Sequence, residues 1–402
     1  MKRLRTISTR NLIGLAVALL VLATGVGIAQ GALGGGSKPA PKPLDVAVHD
    51  ALTAPQVDGV TARVHFTNHL IPSGALPDGT ASPLMAGASG RLWVTSDGRF
   101  RVELQSQAGD AQIVCDGRVV TAYDASSNTA YRFALPQHAT DAAKPDAHTP
   151  PTLAKIDQAI AEVGRDWTLS GATPTSTAGQ PTYTVRIAPK GDGGLLGAAE
   201  LAWDATNGVP LRAAVYASGQ RDPVLELSAT DVSFGPVAAS DVNVAPPAGA
   251  RVVDLSPSSG AGPGGAAGET HAKPVTGVAA VQAALPFTLS APDQLAGLPR
   301  QQVWLAGHGD TPTAVVTYGR GLGGIAVVER KATPGEQPLG GSGGGRGDRS
   351  LQLPTINVDG ASGHELATAL GTVLTFQRGG VDYIVAGSIP AQSAETAARQ
   401  LG

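Results

Sequence analysis

The chain has 402 residues, of which 42% are hydrophobic and 15% charged, and a formal net charge of −3. This balance leaves no basic footprint for nucleic acid, and the lone Cys115 excludes a disulfide framework. Aromatic residues make up only 4%, which argues against a carbohydrate surface built on stacked rings.

Lys2, Arg3, Arg5 and Arg10 precede an uncharged run over residues 12–29. A basic end followed by an apolar segment is an export signal, and the run is also long enough to span a bilayer. Residues 1–30 therefore read either as a signal peptide cleaved after Ala29 or as a retained single-pass anchor with its N-terminus in the cytoplasm. No cysteine follows Ala29, which excludes a lipobox. The expected location is extracytoplasmic, at the membrane or in the cell envelope.

Residues 31–43 (GALGGGSKPAPKP) form a flexible spacer. Residues 44–52 place apolar side chains three to four apart, as a short helix does. Val60, Ala62, Val64 and Phe66 alternate with polar residues and predict a first strand. A Pro/Gly/Ser loop over 71–88 follows, long for a hairpin and able to cover something.

Residues 90–133 are the clearest stretch. Leu92, Val94, Phe100, Val102 and Leu104 alternate with Arg91, Thr95, Arg99, Arg101 and Glu103. Asp97-Gly98 and Asp116-Gly117 are tight-turn dipeptides, and residues 124–128 form a longer turn. Four antiparallel strands in a meander are expected. Residues 153–163 follow as a helix, with Leu153, Ile156, Ile160 and Val163 on one face. Strands are expected over 166–169, 182–188, 198–203, 211–217 and 224–234, with Asn207-Gly208 as a turn. Residues 245–255, which include Pro246-Pro247, suit an edge. Ten or eleven antiparallel strands in one domain must curl or close.

Residues 256–274 are nearly devoid of apolar side chains beyond alanine and read as a linker. Strands over 301–306, 313–318, 324–330, 351–358, 371–378 and 381–386, a Gly379-Gly380 turn and a terminal helix over 391–401 then predict a smaller α+β domain, 275–402.

No motif for catalysis or for a resident cofactor is present. His65 and His69 lack a third metal ligand nearby, and Cys115 sits inside an apolar strand, where a structural thiol is expected. The Arg346-Gly347-Asp348 tripeptide lies in a Gly-rich run where such triplets arise readily. A non-enzymatic protein without cofactor or metal is expected.

Two segments carry a resemblance. CDGRVVTAYDASSNTAYRF (115–133), with YTVRIAPKGDGGLLGAAELAWDATNGVPLRAAVYASG (183–219), resembles the LolA-like proteins. That superfamily includes lipoprotein carriers and the RseB/MucB regulators. The shared features are a DG…YD…Y hairpin set and a D…G.P hairpin, here Asp204, Gly208 and Pro210. YGRGLGGIAVVER (318–330) and DYIVAGSIPAQSAETAARQL (382–401) are similar to the C-terminal domain of the RseB/MucB group. The resemblance implies a half-open antiparallel β-barrel with capping helices over 44–255, mainly β and α+β in class, joined to the smaller domain. It implies an apolar cavity that takes a lipid or lipoprotein acyl chain. In the RseB-like branch it implies a membrane anti-sigma factor as partner. The inward residues expected to line the cavity are Val64, Phe66, Leu92, Val94, Phe100, Val102, Leu104, Leu201, Trp203 and Val215. A retained anchor and the long insertions at 71–88 and 335–349 depart from the soluble carriers.

Overall fold

A computed structural model describes residues 38–70, 83–135, 151–254, 275–306, 312–333 and 353–402. The expected signal or anchor, the linker and the Arg346-Gly347-Asp348 tripeptide lie outside them. Among the described residues no helix is long and apolar enough to cross a membrane.

Helix α1 (Leu44–Thr53) and strand β1 (Gly59–Asn68) open the first unit. Residues 90–133 hold five strands rather than four: β2 (Ala88–Thr95), β3 (Phe100–Ser106), β4 (Gly109–Cys115), β5 (Val119–Asp124) and β6 (Thr129–Ala134). The polar break between the sequence-predicted strands is itself a tight hairpin, in which the Ala108 N–H donates to Ser106 Oγ. At the next turn Asp116 Oδ1 accepts from the Arg118 and Val119 amides at 2.8 and 2.7 Å, which is why aspartate precedes the glycine there. Helix α2 (Pro83–Ala86) lies in the expected long loop and packs Leu84 against the core.

After α3 (Leu153–Asp166) come β7 (Trp167–Leu169), β8 (Thr173–Thr177), β9 (Gln180–Pro189), β10 (Leu196–Asp204), β11 (Pro210–Ala217), β12 (Leu225–Phe234), α4 (Ala239–Val242) and β13 (Arg251–Asp254). Thirteen strands form one sheet, ordered β13-β6-β5-β4-β3-β2-β1-β12-β11-β10-β9-β7, with β8 also on β9. The two meanders meet where β1 pairs with β12, and the ends of the sheet do not pair with each other. This is a half-open barrel, mainly β. Strand β8 had no apolar alternation to announce it: Thr175 Oγ1 bonds the Thr182 and Thr184 hydroxyls at 2.9 and 2.7 Å, so a threonine ladder holds it. Strand β13 sits at the edge, as its prolines suggested, but runs parallel to β6.

Two close backbone approaches explain glycines in the sequence. A Cβ on Gly90 would lie 1.7 Å from the Glu103 carbonyl of β3. Gly90→Ala is expected to cost about 1–3 kcal/mol through overpacking, read as a lower urea midpoint; an unchanged midpoint would contradict this approach. Gly208, in the β10–β11 hairpin, has φ of 72°, and a Cβ there would meet the Ala51 carbonyl of α1 at 2.5 Å. Asp204 Oδ1 accepts from the Thr206 and Asn207 amides in the same hairpin. The Asp-Gly-Pro signature is thus the turn on which α1 rests.

The second unit carries α5 (Val278–Ala283), β14 (Gln294–Leu295), β15 (Leu298–Ala306), β16 (Thr313–Tyr318), β17 (Ile325–Lys331), β18 (Thr355–Val358), β19 (Ala361–Thr368), β20 (Gly371–Arg378), β21 (Val381–Gly387) and α6 (Ala391–Arg399). The eight strands are ordered β14-β15-β16-β17-β21-β20-β19-β18. Ala394, Ala397 and Ala398 of α6 are fully buried against Leu374, Val327 and Val385, so small side chains bring the helix close to the sheet. Strand β19 (ASGHELAT) lacks the apolar alternation that would have predicted it.

Candidate functional site: an apolar cavity inside the curled sheet

The concave face of the first sheet is built by alternation. Val60, Ala62, Val64 and Phe66 of β1, Leu92 and Val94 of β2, and Phe100 of β3 turn inward from one side. Leu201 of β10, Leu211, Ala213 and Val215 of β11, and Leu225, Leu227 and Ala229 of β12 meet them from the other. The register brings them together: Val64 pairs with Ala229, Phe66 with Leu227, Ala213 with Leu227 and Val215 with Leu225. Between these walls lies a partly open cavity of about 150 Å³.

Packed core continues on both sides of it, the first stretch in one cluster with the cavity wall. On one side Val102, Leu104, Ala111 and Cys115 close up with Phe100 and with Leu84 of α2. On the other, Ala47 of α1 packs with Tyr183, Val185 and Trp203. Seven of the ten residues expected from the sequence line the cavity: Val64, Phe66, Leu92, Val94, Phe100, Leu201 and Val215. Val102 and Leu104, each 2% exposed, pack in the same cluster as Val64 and Phe100 but do not line the cavity. They share the inward face, but α2 packs against β3 and β4 there. Trp203 belongs to the second stretch, its ring 6.2 Å from that of Tyr183, because α1 fills that end. Strand β12 and residues 209–213 were missed as wall, since their inward set shows only when β12 is paired with β1.

Arg212 and Glu226 reach the cavity wall only through their strands; their side chains pair on the convex face. Arg212 donates to both Glu226 oxygens, each at 3.1 Å, and to Glu200 at 2.8 Å, while Arg186 holds the other Glu200 oxygen at 2.7 Å. Burial alone would raise the Glu200 carboxyl; bonds from Arg212, Tyr216 and Arg186 hold it below the usual carboxylate range. This network ties β9 to β12 behind the cavity and leaves the concave face apolar.

The helices cover less than their sequence suggested. In α3 only Ile156 is buried, while Leu153 and Val163 are 42% and 41% exposed. On the convex face of β3, Arg101 is more than a solvated charge. It donates to the Asp241 carbonyl of α4 at 3.2 Å and stacks on Trp93 at 5.2 Å, so it anchors α4 to the sheet.

Burial pushes the Cys115 thiol up, away from the reactive thiolate. His65 faces Ser89 Oγ at 3.1 Å, and among the described residues no three His, Cys, Asp or Glu side chains come together as metal ligands.

No family model and no curated protein matches the chain. Solved structures do. A MucA/MucB complex of Pseudomonas aeruginosa is 16% identical, with a TM-score of 0.39, over 88% of this chain and 94% of that one. A putative outer membrane lipoprotein-sorting protein domain from Vibrio parahaemolyticus is 10% identical, with a TM-score of 0.24, over 50% of this chain and 96% of that one. LolA superfamily protein NE2245 from Nitrosomonas europaea is 13% identical, with a TM-score of 0.22, over 50% of this chain and 98% of that one. These are the groups that the sequence resembles, and at such identities and scores the likeness carries nothing about ligand or partner.

Proposed function

We propose that this is an exported envelope protein whose curled sheet binds an acyl chain of a lipid or lipoprotein without catalysis. One observation supports the reading above the others: an unfilled, partly open apolar cavity lies within the otherwise packed interior of the sheet, with the charged side chains of its walls paired on the opposite face. A sheet this large could have been packed solid, as it is at both flanks. Each methylene taken from water contributes about 0.8 kcal/mol, so affinity needs no polar constellation. A cavity of about 150 Å³ takes only a ring or a few methylenes. A longer chain must extend beyond it.

The test is titration of the delipidated full chain with a fluorescent fatty acid. Saturable binding is expected, and Ala213→Trp, which fills the cavity from β11, is expected to weaken it by at least about tenfold. Absence of saturable binding at micromolar protein sinks the proposal.

A second reading draws on the resemblance of residues 318–330 and 382–401 to the RseB/MucB C-terminal domain. In it, the two units together hold a membrane partner such as the exported part of an anti-sigma factor. Direct titration with such a segment, with and without fatty acid, separates the readings: binding of lipid alone favours the first.

A further inference from the structure

Among the described residues the first unit meets the second at Leu70, at Leu195 and at Asp192, next to the strand ends that bound one end of the cavity. Just past β1, the Leu70 carbonyl accepts from the Ala369 N–H at 2.8 Å, in the turn between β19 and β20. Just before β10, the Leu195 N–H lies 3.0 Å from both the carbonyl and the Oγ of Ser388, and that Oγ donates to the Leu370 carbonyl at 2.8 Å.

These contacts run directly into the cavity wall. The His69 N–H donates to the Val224 carbonyl at 2.7 Å, and the Val224 N–H donates to Val215 at 2.8 Å. The Ser218 N–H donates to Leu195 at 2.7 Å. Asn68 pairs with Leu225. The lining residues Phe66, Val215 and Leu225 are thus held by the same strand ends that hold the second unit.

The contact is close and joins backbone to backbone and to the short side chains of Ser388 and Asp192. A Cβ on Gly194 would lie 2.1 Å from the Ser388 carbonyl, and one on Gly321 would lie 2.8 Å from the Asp192 carbonyl. Relative motion is the ordinary expectation for two units of one chain.

We propose that this contact is a latch on the cavity: the second unit closes the end bounded by Phe66, Val215 and Leu225, and a long acyl chain and the closed latch exclude one another. The proposal rests on the acyl-chain reading above. A chain too long for the cavity must extend out of it, and at this end its way runs along the strand ends whose continuations, Leu70 and Leu195, hold the second unit. By linkage, whatever opens the latch strengthens long-chain binding by the same factor that the chain weakens the latch.

Gly194→Asn tests this, because asparagine tolerates the φ of 61° at that position while its Cβ still strikes Ser388. Gly321→Asn attacks the junction from the other unit, since asparagine tolerates the φ of 68° there while its Cβ would lie 2.8 Å from the Asp192 carbonyl. The full chain and both variants are compared by small-angle scattering without ligand, and by titration with fluorescent fatty acids of eight and sixteen carbons. Expected are an expanded envelope in the variants and affinity for the longer chain raised at least about fivefold, with the shorter one unchanged. Expanded variants with wild-type affinity for the longer chain overturn the coupling. Variants that stay compact overturn the latch. If the wild-type chain binds neither fatty acid, the acyl-chain reading fails and the coupling with it, while scattering still reports separately whether the contact opens.

Discussion

Phe100→Asp is expected to remove fatty-acid binding altogether and to lower the stability of the first unit by more than about 4 kcal/mol. Phe100 is 2% exposed, pairs with Val94 and Cys115 across its strand, and forms part of the cavity wall. Truncating a buried phenylalanine alone costs about 3–5 kcal/mol, and the carboxylate adds the cost of burying a charge with no partner. Loss of binding through unfolding is distinguished by Leu104→Ala. Leu104 lies in the filled core beyond the cavity, so this change is expected to cost about 2–5 kcal/mol while the remaining folded protein binds as before. Urea unfolding followed through Trp93 and Trp203, together with probe titration below the transition, reads both effects. Equal affinity in folded Phe100→Asp would remove Phe100 from the site.

Glu329→Gln is expected to stabilise the second unit at pH 8 and to flatten its pH dependence. Glu329 is wholly buried on β17. One carboxylate oxygen accepts the Ser290 N–H at 2.9 Å, and the other finds no hydrogen-bond partner among the described residues. Burial pushes its pKa up to about 7 from an ordinary 4.5, the Ser290 bond only partly opposing it. Tyr383, directly opposite on β21, is pushed up to about 12 by burial and then by the Glu329 charge. Tyr318 on β16 is raised for the same reasons. The folded chain therefore holds a proton that the unfolded chain releases. Stability from this group is fully present below about pH 4.5 and is lost as pH rises to about 7. The loss reaches about 3 kcal/mol above that. Glutamine keeps the acceptor for Ser290 and has no charge to desolvate. Hydrogen exchange of the β17 amides at pH 5, 6, 7 and 8 reports the second unit by itself. The same slope in wild type and variant would show that another group sets the dependence.

How much of this was legible beforehand depends on what each segment needs from its neighbours. The Phe100-Val102-Leu104 alternation names a strand with one buried face, and no tertiary information is required for that. The same alternation could not say that Phe100 borders a cavity while Val102 and Leu104 do not. The three share one apolar face, and their fates differ because α2 packs on β3 and β4 beyond Phe100. Strands β8 and β19 were invisible because β8 is held by hydroxyl ladders and β19 by its place in the sheet, not by an apolar period.

By itself, then, the sequence determined the antiparallel meanders, their turns at Asp97-Gly98, Asp116-Gly117 and Asn207-Gly208, and an inward apolar face. These follow from local sterics and period-two patterning. Only the tertiary structure decided that β1 pairs with β12. That long-range pairing unites two meanders into one curled sheet, joins Val64 and Phe66 to Ala229 and Leu227, and leaves a gap at its centre that α1 and α2 do not fill. No local signal encodes such a gap, since a cavity is the volume left over when distant walls meet.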